Sequence, residues 1–178
     1  VEVRVNDALP EGWLPIPFGV EDAEVAGLAA ELTRVAAETM PGFMDGDEAR
    51  SAMAAAISRP PLTADVLGRV WHVLGPAATG AVADLSIAGA TASVPDSPLA
   101  LSVPQRTVRF ADGRAVLSLV APRENVHVAM LLRAQRRDGE RTLVADVIDT
   151  AAVLGLVLDD VISLVGGEPP AQTAESAS

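Results

Sequence analysis

A chain of 178 residues, 49% of them apolar, has room for one domain with a substantial core, and with no Cys it excludes disulfide scaffolds, thiol nucleophiles and thiolate metal sites. All 13 basic residues are Arg, which also excludes Schiff-base chemistry and a phosphate-loop lysine; there is no Tyr and there are only two His. The net charge of −11 argues against nonspecific binding to nucleic acid or to an anionic membrane, since both need a positive field.

Val1, Val3 and Val5 alternate with Glu2 and Arg4, the pattern of a short half-buried strand. In Gly12-Trp13-Leu14-Pro15-Ile16-Pro17-Phe18 two prolines withhold backbone donors, so the segment reads as an extended edge or loop that pins Trp13, Ile16 and Phe18 onto the domain. Over 21–39, Val25, Leu28, Ala29, Leu32, Val35 and Ala36 fall at helical spacing behind an acidic first turn, and Pro41-Gly42 stops the helix. A second helix is predicted over 45–58, capped by Asp45 or Asp47, with Ala52, Met53, Ala56 and Ile57 as its buried stripe. Val66, Leu67, Val70, Trp71 and Leu74 predict a third helix over 63–74; the β-branched residues there make a strand the alternative.

From Gly80 the period changes to two, with Ala81, Ala83, Leu85 and Ile87 alternating with Val82, Asp84 and Ser86, so a strand follows. Residues 89–97 read as a loop, and a further strand begins near Leu99. Two Asp-Gly pairs then mark hairpins. A turn at Asp112-Gly113 sets Phe110 opposite Ala115 and Val108 opposite Leu117. A turn at Asp138-Gly139 sets Arg137 opposite Glu140 and Leu132 opposite Ala145, with Arg133 diagonal to Asp146. Residues 151–165 return to helical spacing, started by Thr150 and closed by Gly166-Gly167. The remainder is rich in Gly, Pro, Ala, Ser and Glu. The expectation is a single α+β domain over 1–165 and a disordered tail over 166–178. N-terminal helices precede an antiparallel β-meander and a closing C-terminal helix, the helices covering one face of the sheet.

The chemistry-bearing residues are sparse. His72, beside Trp71, reads as a half-exposed histidine on a helix flank. His127 and Asp146 fall on adjacent predicted strands and one face, where the carboxylate would orient the imidazole. Asp45-Gly46-Asp47-Glu48 is dense in acids, but a calcium loop would need Glu at its twelfth position and Ala56 stands there, so a capping role is expected. Neither a Gly-x-Gly-x-x-Gly nor a phosphate-binding loop occurs, and two His supply no zinc motif. No catalytic residue, cofactor or metal is assigned.

Arginine is the strongest remaining signal. Residues 101–141 carry Arg106, Arg109, Arg114, Arg123, Arg133, Arg136, Arg137 and Arg141 on or near the two hairpins, between two acidic arms. Guanidinium forks suit carboxylates, phosphates and interfaces; the competing reading is solubilising charge that protects strand edges. Arg109, Arg133, Arg136 and Arg137, placed on the solvent face of the sheet, are the candidate partner-binding residues, with Trp13 as a second anchor.

The opening Leu9-Pro10-Glu11-Gly12-Trp13-Leu14-Pro15-Ile16-Pro17, followed at once by an acidic helix, resembles small proteins of high-GC bacteria. That segment, then helix, meander and a closing helix with Asp159-Asp160-Val161-Ile162-Ser163-Leu164, is loosely similar to the Mog1/PsbP-like α+β fold. The resemblance covers the whole chain as architecture and implies binding or accessory roles. The functional expectation is a non-catalytic accessory or adaptor protein that binds another, acidic protein, without nucleic acid or membrane. Homodimerisation through a sheet edge or the last helix is a further expectation. The alternative is a small-molecule binder or hydrolase with a pocket between sheet and helices, using His127 and Asp146. A cytoplasmic location is the default, although a start at Val1 leaves a removed signal peptide open.

Overall fold

The computed structural model describes residues 9–73, 80–89, 93–99, 101–120 and 129–169. The strand expected at 1–5, His127, and residues 170–178 of the expected tail lie outside them. The described elements are β1 (Trp13–Pro15), α1 (Asp22–Thr39), α2 (Asp47–Ser58), β2 (Val66–Val73), β3 (Gly80–Gly89), β4 (Ser102–Phe110), β5 (Gly113–Val120), β6 (Met130–Asp138), β7 (Arg141–Asp149) and α3 (Ala151–Leu164). This is the expected α+β order of N-terminal helices, antiparallel strands and a closing helix.

The seven strands form one antiparallel sheet in the order β1-β2-β3-β7-β6-β5-β4. Two meanders therefore meet in its middle. The first runs β1 to β3; the chain then restarts at the far edge with β4 and works back until β7 pairs with β3.

The helices cover both faces of this sheet, not the one face expected. On one face, α3 packs Leu154, Val157, Val161 and Ile162 onto Val70, Ala81, Ala83, Leu132, Ala134, Ala145 and Val147. On the opposite face, α1 and α2 bring Val25, Ala29, Ala36, Met53 and Ile57 onto Ile16, Trp71 and Val82. Strand alternation accounts for the division: Val70 and Trp71, like Ala81 and Val82, point to opposite sides, and each side needs its own cover.

The same two-sided burial explains the helix expected over 63–74, where the structure has β2. A strand buried on both faces loses its polar alternation and reads as a continuous apolar run, which short periodicity does not separate from a helix. His72 accordingly sits on a strand.

Both hairpins turn one residue away from the expected position. Phe110 pairs with Gly113, so the first turn is Ala111-Asp112, with Asp112 at φ 57°. Gly113 instead lies beneath the Phe110 ring, where a Cβ would collide. Asp138 pairs with Arg141, which makes Gly139-Glu140 the second turn; Gly139, at φ 59°, occupies the first central position, where a type II′ turn requires glycine. Because each register moves by two, every side chain keeps its expected face. Arg133, however, becomes the direct partner of Asp146 instead of its diagonal one.

Helix ends follow local chemistry. Thr150 accepts from the Val153 amide at the start of α3, as expected. At the other end Gly167 N–H reaches Ile162 O (3.0 Å) and Gly166 N–H reaches Ser163 O (2.8 Å), a Schellman motif with Gly166 at φ 71°. Gly166 and Gly167 thus belong to the fold. Asp45 does not cap α2; its carboxylate takes both arms of Arg50 (2.8 and 2.7 Å), and Gly46 stands at the cap position.

Candidate functional site: an arginine cleft beside a buried charge row

The face of the sheet opposite α3 carries two groups of arginines. The first is a row across four strands. Arg69 on β2 pairs with Asp84 on β3, Asp84 with Asp146 on β7, and Asp146 with Arg133 on β6. All four are buried: Arg69 is 2% exposed, Asp84 1%, Asp146 3% and Arg133 5%. Each guanidinium forks onto its carboxylate, Arg69 at 2.6 and 3.2 Å and Arg133 at 2.7 and 2.7 Å. Further bonds hold the row in place. Arg69 donates to Ala56 O (3.1 Å) and Arg59 O at the end of α2, and Asp84 accepts from Leu62 N–H (3.0 Å). The order Arg-Asp-Asp-Arg leaves two carboxylates side by side at the centre. Burial, together with Asp84 and Asp65 nearby, holds the Asp146 carboxyl above its ordinary value, against the opposing pull of Arg133.

The second group lies on the same face at the hairpin end. Arg109 and Arg114 are direct partners on β4 and β5, and Arg114 neighbours Gln135 on β6. With Arg137 they line an open cleft of about 360 Å³, completed by Ser93, Val94, Asp112, Gly113, Gln135 and Thr142. Ser93 and Val94 belong to a strap, residues 93–99, that runs beside it. Asp96 in that strap pairs with Arg114 at 2.8 Å, and Arg133 reaches out of the buried row to hold Pro95 O at 3.1 Å. Turned so that its oxygen faces Arg114, the Gln135 amide accepts from both Nη2 (3.1 Å) and Nε (3.0 Å).

The expected partner-binding residues divide among three environments. Arg109 and Arg137 are exposed and share the cleft, in agreement with their expected placement. Arg133 does not lie on a solvent face; it is buried and committed to Asp146. Arg136 points to the other side, where its guanidinium donates to Val165 O (3.3 Å) and complements the C-terminus of α3. Trp13 is 6% exposed and packs edge-on to His72, at 4.7 Å between ring centres. Arg114, left out of the expected set, stands in the middle of the cleft. Arg69 and Asp84 were also missed, although each is the one Arg, Asp or Glu in its apolar strand, a composition that favours buried pairing.

The expected His127–Asp146 arrangement meets the Arg133 fork, which engages both Asp146 oxygens; His127 itself lies outside the described residues. His72 places Nε2 3.4 Å from Asp160 Oδ2, and burial keeps its imidazole below the ordinary value despite that carboxylate. Among the described residues no three His, Asp or Glu side chains gather as a metal site, and no helix is long and apolar enough to cross a membrane. The β4 edge carries Pro104, an irregularity between Pro104 and Arg106, and exposed Arg106 and Arg109, features that blunt pairing with another strand. Comparison with protein-family models, curated proteins and solved structures finds no match for this chain.

Proposed function

We propose that the protein is a non-catalytic accessory or adaptor protein that docks an acidic segment of a partner protein in the cleft of Arg109, Arg114 and Arg137. The observation that carries this reading is the convergence of three guanidiniums on one open cleft in a chain of net charge −11. Guanidinium forks bind carboxylates in two-pronged fashion, and the Thr142 and Ser93 hydroxyls add neutral partners. Excess negative charge elsewhere repels an acidic segment and so orients it toward this one place. The Mog1/PsbP-like resemblance implies a role of the same kind.

A fluorescein-labelled octaglutamate peptide, titrated by anisotropy, provides the test. Reversing Arg109→Glu together with Arg137→Glu should weaken binding by about tenfold or more, with unchanged circular dichroism. Wild-type affinity should fall steeply with added salt. Equal affinity of wild type and double variant would remove the proposal.

A further inference from the structure

The central arginine of the cleft already holds a carboxylate from the neighbouring strap. Asp96 meets Arg114 at 2.8 Å, yet the two side chains remain 48% and 40% exposed, so water reaches the pair and it can open at small cost. The backbone around it is fixed. Arg133 holds Pro95 O, Ser97 Oγ accepts from Leu99 N–H (3.0 Å), and Ser102 Oγ donates to Leu99 O (3.1 Å). The strap is thus tied to the sheet at Pro95 and Leu99 on either side of Asp96, and Gln135 gives the Arg114 guanidinium a second partner.

We infer that Asp96 is a built-in competitor: its carboxylate occupies Arg114 in the empty protein, and an acidic partner must displace it to engage all three arginines. The inference rests on the docking reading above and specifies how that site is regulated. A tethered carboxylate acts at an effective concentration of roughly millimolar. One carboxylate arriving from solution competes poorly with it. A segment that also reaches Arg109 and Arg137 gains contacts that Asp96 cannot match, so the strap favours multivalent acids.

The experiment is octaglutamate titration of wild type, Asp96→Asn and Asp96→Glu. Removing the charge from an exposed pair should tighten binding roughly two- to fivefold in Asp96→Asn. It should also steepen the salt dependence, because one more cation is free to meet the peptide. Asp96→Glu, which keeps the competitor, should stay near wild type. If wild type binds and Asp96→Asn binds equally or more weakly, the competitor idea is overturned while the docking reading stands. If none of the three proteins binds, both fall together.

Discussion

The buried row and the cleft use the same side chains on the same face of one sheet, a few strand positions apart, and put them to opposite use. In the row, Arg69 and Arg133 have their carboxylate partners built into the neighbouring strands and are closed off from water. In the cleft, Arg109 and Arg137 are exposed and line an open space, and only Arg114 has an internal carboxylate, on a strap and half in solvent. An arginine's role here is set by whether the sheet supplies an acid opposite it. Where Asp84 or Asp146 stands across the ladder, the guanidinium becomes part of the interior. Where Arg114 stands opposite Arg109, like charges face each other, and the one internal carboxylate that meets them, Asp96, reaches Arg114 from the strap and not from a neighbouring strand.

That contrast can be broken most severely in the row. Asp146→Ala leaves Arg133 buried without its carboxylate and should cost about 3–5 kcal/mol, read from urea denaturation. Replacing both partners with apolar residues, Arg133→Met with Asp146→Leu, should recover most of that loss, because no charge is then stranded. In the cleft the stability effect should nearly vanish: Arg137→Glu should stay within about 0.5 kcal/mol of wild type by the same measurement while losing affinity for octaglutamate.

The finest test is protonation. Asp146 is shifted up from 3.8 by burial, whereas exposed Asp45 is shifted down from 3.8, chiefly by its hydrogen bond to Arg50. Carboxyl-carbon NMR should show the two titrating on opposite sides of that value. The consequences for stability have opposite signs. With its folded pKa raised, Asp146 opposes folding at neutral pH, and that opposition is relieved as pH falls through the folded value. Asp45, with its folded pKa lowered, contributes stability above the unfolded value and loses it as pH falls through the folded one.

Much of this was legible in the residues. Periodicity located α1, α2 and α3, and Asp84 and Ser86 together with the two Asp-Gly pairs marked the strands from Gly80 onward, although β3, β6 and β7 are also buried on both sides. It failed for β2, where Arg69, Val70 and Trp71 are buried in succession on alternating sides, so the run lost the polar beat that marks a strand. The Asp-Gly pairs announced both hairpins, but where each turn sits depended on contacts beyond the pair, such as the ring of Phe110 over Gly113. For the site, Arg109 and Arg137 were readable as exposed hairpin arginines. The burial of Arg133 depended on the exact register that aligns it with Asp146, and a diagonal offset had been expected. Asp96 carried no local signal, since its meaning comes from a strap laid over strands distant in sequence.

The meeting of the two meanders bears on how the polypeptide is assembled. During synthesis β1 to β3 emerge first and carry the Arg69–Asp84 pair, already neutral within two adjacent strands. The Arg133–Asp146 pair is completed only with β7, the strand that must slot between β3 and β6. Each half thus brings one Arg–Asp pair of the row already matched, and joining them sets two acids shoulder to shoulder at the seam. Long-range pairing of this kind is slow, so a nascent chain halted before β7 would present the bare side of β3 to its surroundings, an invitation to chaperones or to aggregation.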